Sequence, residues 1–309
     1  MPVLDVMLLL ALAAIWGSSF MFIRYLAPLI GPVAVADTRM LFAGLALVLF
    51  FAVTGFRAEW KKNARVYLVI GLLNSAIPFV LYAAAALVLP ASMEAIFNSM
   101  SPMFGAVFAA AWLNENLTPR KIAGLVLGVA GVVTMSSLSG LELSLSTALA
   151  IGACILAPMC YGLAGVYIRK RAAGVRPLGI AGGSQLFGGI VLLPFVVAFP
   201  PAPAAVTPTV ALAVVSLALL CSGVAYVIYY RLIADVGPTK ALTVTFLIPV
   251  FAMLWASLLI REAVTASMIL GAGIILLGTW LVAGRRIDVI RRFRTMAHAP
   301  DPGRRDRRL

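Results

Sequence analysis

Charge is scarce in this sequence. Of 309 residues, only 11% are Asp, Glu, Lys or Arg, while 63% are hydrophobic. A soluble domain carries roughly 25% charged residues, so a water-soluble globule is excluded and a polytopic membrane protein is implied. Acids are the scarcest charge: eleven Asp and Glu, scattered, with no D-x-x-x-D or similar pair. An intramembrane prenyl- or phosphotransferase needs clustered carboxylates to hold a metal and pyrophosphate, which sets an enzyme aside. The one histidine, His298, lies in the C-terminal tail, so histidine chemistry within the membrane is not expected. The three cysteines, Cys154, Cys160 and Cys221, sit in apolar runs without metal-ligand spacing and read as packing residues. No metal and no cofactor are expected. No G-x-x-x-x-G-K-[ST] motif is present, so ATP is not the expected driving force. Met1–Asp5 lacks a basic n-region, and the first apolar run is a full span, so a cleaved signal is not expected.

What is present is apolar length. Mean hydropathy is +1.06. Ten runs approach the roughly 20 apolar residues that a membrane helix needs. They are Leu4–Ile23, Val33–Val53, Tyr67–Leu89, Met93–Leu113, Ile122–Leu138, Ser146–Ile168, Leu178–Ala198, Thr209–Leu232, Ala241–Ile260 and Val264–Val282. Continuous runs of this kind exclude a membrane β-barrel, whose strands alternate.

The net charge of +13 is placed between the apolar runs and in the tail, so membrane lipid, not nucleic acid, is the expected partner. With the N-terminus inside, 21 of the 24 basic residues fall on the cytoplasmic side, leaving Arg24, Arg39 and Arg261. The Arg-rich tail from Arg285 to Leu309 reads as a topology anchor, or as a segment against anionic headgroups through Ile287–Phe293.

The chain also repeats itself. At an offset of 147, Tyr82 falls on Tyr229, Pro102 on Pro249, Phe104 on Phe251, Glu115 on Glu262, Gly124 on Gly271 and Gly131 on Gly278. At an offset of 145, Gly17 falls on Gly162, Arg24 on Arg169, Leu41 on Leu186 and Gly44 on Gly189. Each unit holds five helices, an odd number, so the second enters the membrane from the opposite side. The predicted fold is an all-α integral membrane protein of ten transmembrane helices in two inverted five-helix repeats. The units are residues 1–138 and 139–284, followed by a basic cytoplasmic tail, 285–309.

Trp16-Gly17-Ser18-Ser19-Phe20, Arg39, and Ala95–Gly131 with its Asn98, Pro102, Leu113-Asn114-Glu115 and Lys121 resemble an EamA domain of the drug/metabolite transporter superfamily. The resemblance covers roughly residues 4 to 284 and is weaker at the start of the second copy, where Tyr161 matches Trp16 and Ser184 matches Arg39. It implies a central cavity lined by helices 1–4 and 6–9, with helices 5 and 10 peripheral. With it goes the expectation of a secondary transporter that exports small metabolites by alternating access, amino acids and related amphipathic organics foremost. A multidrug, purine or sugar-derivative carrier, an importer and a non-transporting receptor stand as alternatives. A bacterial plasma membrane fits the charge bias.

Polar groups inside a bilayer are costly, so each is a candidate for substrate binding. Glu94, Asn98, Ser101 and Gly105 share one face of helix 4, interrupted by Pro102. That stripe could take an amine-bearing solute or a proton; alternatively Glu94 reaches water at the outer end while Asn98 and Ser101 link helices. Asn74 and Tyr82 in helix 3, Tyr226 and Tyr229 in helix 8, and Trp16 in helix 1 form the aromatic set, with interfacial belt or packing roles as the alternative. Arg39 meets an anionic group, meets Glu94, or snorkels; Asp37, two residues away, faces elsewhere. Gln185 is a cavity donor or a helix–helix bond. Glu115 is expected to pair with Arg120 or Lys121, and Glu262 to cap the start of helix 10. Gly124, Gly128 and Gly131 in helix 5, with Gly271 and Gly278 in helix 10, are packing faces, and a homodimer is one use for them.

Overall fold

The computed structural model describes residues 2–137, 144–236, 241 and 243–283. Among the described residues the chain forms ten helical rods. The first five are α1 (Val3–Ile30), α2 (Pro32–Thr54), α3 (Trp60–Ala85), α4 (Ala91–Leu113) and α5 (Pro119–Ser137). The second five are α6 (Leu145–Arg171), α7 (Pro177–Ala198), α8 (208–236), α9 (Val244–Leu259) and α10 (Ala266–Ala283). Eight are long and apolar enough to cross a membrane, and α9 is a shorter apolar helix. Val126, Leu149, Leu212 and Leu258 point outward and stay exposed, as expected where lipid replaces water as the solvent. The basic tail, residues 285–309, lies outside the described residues, as do the predicted junction at 138/139 and Lys240.

Local chemistry sets the helix ends. Pro32, Pro177 and Pro208 open α2, α7 and α8, where a missing N–H costs nothing. Ser144 and Thr207 cap α6 and α8 by accepting the Thr147 and Val210 N–H at 3.2 and 3.3 Å. Asn114 and Arg261 end α4 and α9 in the left-handed region, with φ of 54° and 56°. They are mates at the 147 offset. Two helix limits differ from those predicted. Helix α1 runs past Ile23 to Ile30, and Arg24 within it is held by Glu262 and the Ala86 carbonyl rather than released to solvent. Helix α3 starts at Trp60, seven residues before the predicted run, since its first turns are amphipathic rather than apolar.

The two units pack as inverted copies. A Cβ on Gly17 of α1 would sit 2.8 Å from Phe251 Cβ in α9, and one on Gly162 of α6 would sit 2.6 Å from the Gly105 nitrogen in α4. Those are the same contact, repeated under the offsets. Gly44 against Leu186 and Gly189 against Leu41 reciprocate between α2 and α7. A Cβ on Gly124 would lie 2.5 Å from the Gly278 carbonyl, and the reverse is also 2.5 Å; Gly131 and Gly271 mirror this pair at 2.9 Å. These glycines let α5 and α10 touch backbone to backbone. Gly128 instead faces Met103 of α4. The glycine faces therefore serve contacts within the chain.

Each unit also carries one π-helical segment, Leu72–Ala76 in α3 and Leu219–Val224 in α8, again 147 residues apart. A π segment shifts the hydrogen-bond ladder and is common at functional sites. Here it faces the middle of the bundle.

Candidate functional site

A cavity of about 250 Å³ lies between the two units, just below the ~300–1,000 Å³ typical of small-molecule sites. Helices α1, α2, α3, α4, α6, α8 and α9 line it, and α5 and α10 do not. Seven of the seventeen described lining residues are aromatic, and among the described residues the one formally charged side chain on the wall is Arg39.

Arg39 is 6% exposed. Its Nε donates to Ser222 Oγ at 3.0 Å, and its guanidinium lies 4.0 Å from the centre of the Phe79 ring. Among the described residues no carboxylate pairs with it. A guanidinium held by a hydroxyl and a ring keeps further N–H donors for an incoming acceptor. The aromatic walls are repeat mates. Trp16 packs on Tyr229 at 5.2 Å between ring centres, and Tyr161 on Tyr82 at 6.4 Å. Phe20 meets Tyr82 edge-on at 5.5 Å. The Trp16 indole donates to the Cys221 carbonyl at 3.2 Å, a carbonyl within the α8 π segment. The Tyr82 hydroxyl donates to Asn98 Oδ1 at 3.3 Å.

Helix α4 breaks at Ser99–Met100. Pro102 has no N–H for the Asn98 carbonyl, and Ser101 Oγ donates to that oxygen instead, at 2.6 Å. The break turns the predicted polar stripe in two. Asn98 and Ser101 line the cavity, whereas Glu94 does not.

Eight of the ten predicted residues thus share one wall: Trp16, Arg39, Asn74, Tyr82, Asn98, Ser101, Tyr226 and Tyr229. Two do not. Glu94 is fully buried, and neither carboxylate oxygen has a hydrogen-bond partner among the described residues; it neither reaches water nor meets Arg39. Gln185 of α7 donates to Ser75 Oγ of α3 at 3.2 Å and also hydrogen-bonds Tyr226 of the wall, so it stands one layer behind the cavity. Because Gln185 was the α7 candidate, α7 is the one helix absent from the implied lining. Sequence reasoning missed Phe20, Phe79, Tyr161 and Thr245. Tyr161 was findable as the mate of Trp16; Phe79 was not, since a ring beneath a distant guanidinium leaves no spacing signal.

The described residues contain no group of three or more His, Cys, Asp or Glu able to hold a metal ion. The EamA-like transporter family matches residues 4–137 and 148–284, one copy on each unit. The chain belongs to this family. Among its relatives is an uncharacterized transporter of Archaeoglobus fulgidus, 23% identical over 88% of this chain and 95% of that protein. Protein PecM of Dickeya dadantii is 26% identical over 83% and 84%. A protein of Streptantibioticus cattleyicolor named as a probable terminal-alkyne amino-acid exporter is 23% identical over 94% and 95%. A solved crystal structure shares the fold, with a TM-score of 0.64 at 18% identity over 90% of this chain and 95% of that one.

This EamA-like transporter carries one ion pair at each end of its bundle, the same pair used twice across the repeat. At one end Arg24 Nε lies 3.4 Å from Glu262 Oε1, and at the other Arg169 lies 2.7 Å from Glu115. Arg24 matches Arg169 and Glu262 matches Glu115 across the repeat. Glu262 does not cap α10, where Thr265 accepts the Met268 N–H. It caps α4 of the other unit, accepting the Ala91 N–H at 3.0 Å, while Arg24 also donates to the Ala86 carbonyl. Glu115 pairs with Lys121 at 3.5 Å, as expected, but its shorter partner is Arg169, and Arg120 lies over the Trp280 ring instead. The Arg169 hydrogen bond, aided by Lys121, holds the Glu115 carboxyl below the usual carboxylate range against the opposing effect of partial burial.

Proposed function

We propose that this transporter is a secondary exporter of small amphipathic organic acids, amino acids and their relatives foremost, working by alternating access about the repeat axis. The carrying observation is the cavity wall: aromatic faces around the buried Arg39 guanidinium, with no carboxylate on the lining among the described residues. Such a wall favours a solute with one anionic group, met by Arg39, and an apolar or ammonium-bearing body, met by the rings. The volume favours a solute of amino-acid size. The Streptantibioticus cattleyicolor protein named as a probable terminal-alkyne amino-acid exporter lends the amino-acid direction some support.

The N- and C-termini are assigned to the cytoplasm on the distribution of Lys and Arg, so the Arg24 end faces outward. A plasma membrane is the setting this implies in a bacterium. The test is metabolite profiling of the medium from cells overproducing wild type or Arg39→Gln. A compound enriched by wild type and not by the variant supports export and names the substrate class. Enrichment of a compound by both equally removes Arg39 from recognition. Identical media with and without the protein count against export.

A further inference from the structure

We propose that Glu94 is a proton-binding site, and that taking up a proton there closes the Arg24–Glu262 latch. The proposal rests on the carrier reading for its purpose, though not for its test.

The observations are geometric. Glu94 lies in the first turn of α4, three residues from Ala91, whose N–H is bound by Glu262. Its side chain is fully buried, and neither oxygen finds a hydrogen bond among the described residues. The charges acting on it are Arg24, from α1, and Glu262, from the α9–α10 turn; Tyr82 of α3 and Cys154 of α6 are its other titratable neighbours. Arg24 and Glu262 also line a surface depression of about 510 Å³, together with Tyr25, Leu87 and Ile260. The latch thus joins the neighbourhood of Glu94 to that surface depression, and Tyr82, the neighbour of Glu94 on α3, lines the cavity.

An unpaired ionised carboxylate is poorly tolerated away from water, and the neutral acid far less so. Behind a closed latch the acid form is the one this site can hold. When Glu94 loses its proton to water or buffer, its carboxylate competes with Glu262 for the single guanidinium of Arg24. The pair loosens, Ala91 loses its acceptor, and the end opens. A proton arriving from the medium returns Glu94 to the acid form and frees Arg24 for Glu262. The step moves one proton and nothing else. The opposite latch has no such control, because the repeat mate of Glu94 is Ala241.

The amide of Ala91 reports the latch directly. Hydrogen exchange by mass spectrometry on the purified full chain in nanodiscs, corrected for the intrinsic pH dependence of exchange, gives its protection. Protection should fall by about tenfold in wild type between about pH 5 and about pH 9. In Glu94→Gln it should stay at the high, low-pH level throughout. In Glu262→Gln it should be low at every pH. These opposite signs separate the proposal from loosening caused by misfolding, which lowers protection in both variants. A flat wild-type profile, or a Glu94→Gln profile that follows wild type, overturns the proposal. Loss of Arg39-dependent solute binding with an intact latch titration would instead overturn the carrier reading alone.

Discussion

The two repeats agree in how they pack and disagree in what they present. The contacts of Gly17, Gly44 and Gly124 in the first unit recur as those of Gly162, Gly189 and Gly271 in the second. The π segments and the left-handed caps recur as well. The chemistry does not. Arg39 of α2 faces the cavity, while its mate Ser184 is buried and donates to the Ala181 carbonyl of its own helix. Ser222 binds Arg39, while its mate Ser75 binds Gln185. The duplicated scaffold packs alike in both units, and single substitutions then make the site polar on one side.

The largest expected effect tests the shared packing. Gly124→Leu and Gly278→Leu should each cost at least about 3 kcal/mol, the upper range for overpacking, because the obstacle is backbone. Gly152→Leu, with open space around it, should fold normally. Monodisperse yield on size exclusion reads all three. A well-folded Gly124→Leu beside a lost Gly278→Leu would break the reciprocity.

Next come the mates that differ. Arg39→Gln should weaken substrate affinity by about tenfold or more, as loss of a charge-assisted hydrogen bond implies. Ser184→Ala should change it less than about twofold. Equal losses would mean that both substitutions act through folding.

The ends differ in exposure: the Arg169–Glu115 side chains are 60% and 36% exposed, and those of Arg24–Glu262 are 34% and 15%. Glu115 has a lowered folded-state carboxyl, so its contribution is present above the ordinary carboxylate value and lost as pH falls through the lowered one. Melting curves of wild type and Arg169→Gln should differ slightly near neutral pH and converge in that acidic window. A gap that persists at still lower pH would contradict the assignment.

The smallest effect concerns the left-handed caps. Asparagine suits that region better than arginine. Arg261→Asn should stabilise by a few tenths of a kcal/mol and Asn114→Arg should destabilise by about as much, as read by thermal melting.

Periodicity and duplication made most of this architecture legible. Ten apolar runs and a fixed offset carry an inverted helical repeat, and the cost of polar groups in a bilayer, with the aromatic set beside them, brought eight cavity residues into view. The failures were local or long-range. Glu94 and Asn98 share a face only while α4 is regular, and Pro102 breaks it. Glu262 looks like a cap for the helix that follows it, because sequence distance hides that Ala91 is nearer. Arg24 looks like a membrane boundary until Glu262 and Ala86 are found around it. Contacts between units leave no mark in spacing, except where the second copy repeats them.

The central claim is that the buried Arg39 selects an anionic group, and ligand-induced thermal stabilisation tests it directly. Purified wild type and Arg39→Gln would be screened against the amino acids and their methyl esters. The account predicts stabilisation of wild type by one or more free acids, none by the matching esters, and none of Arg39→Gln by either. Esters that bind as well as acids, or an Arg39→Gln variant that binds acids like wild type, would contradict it.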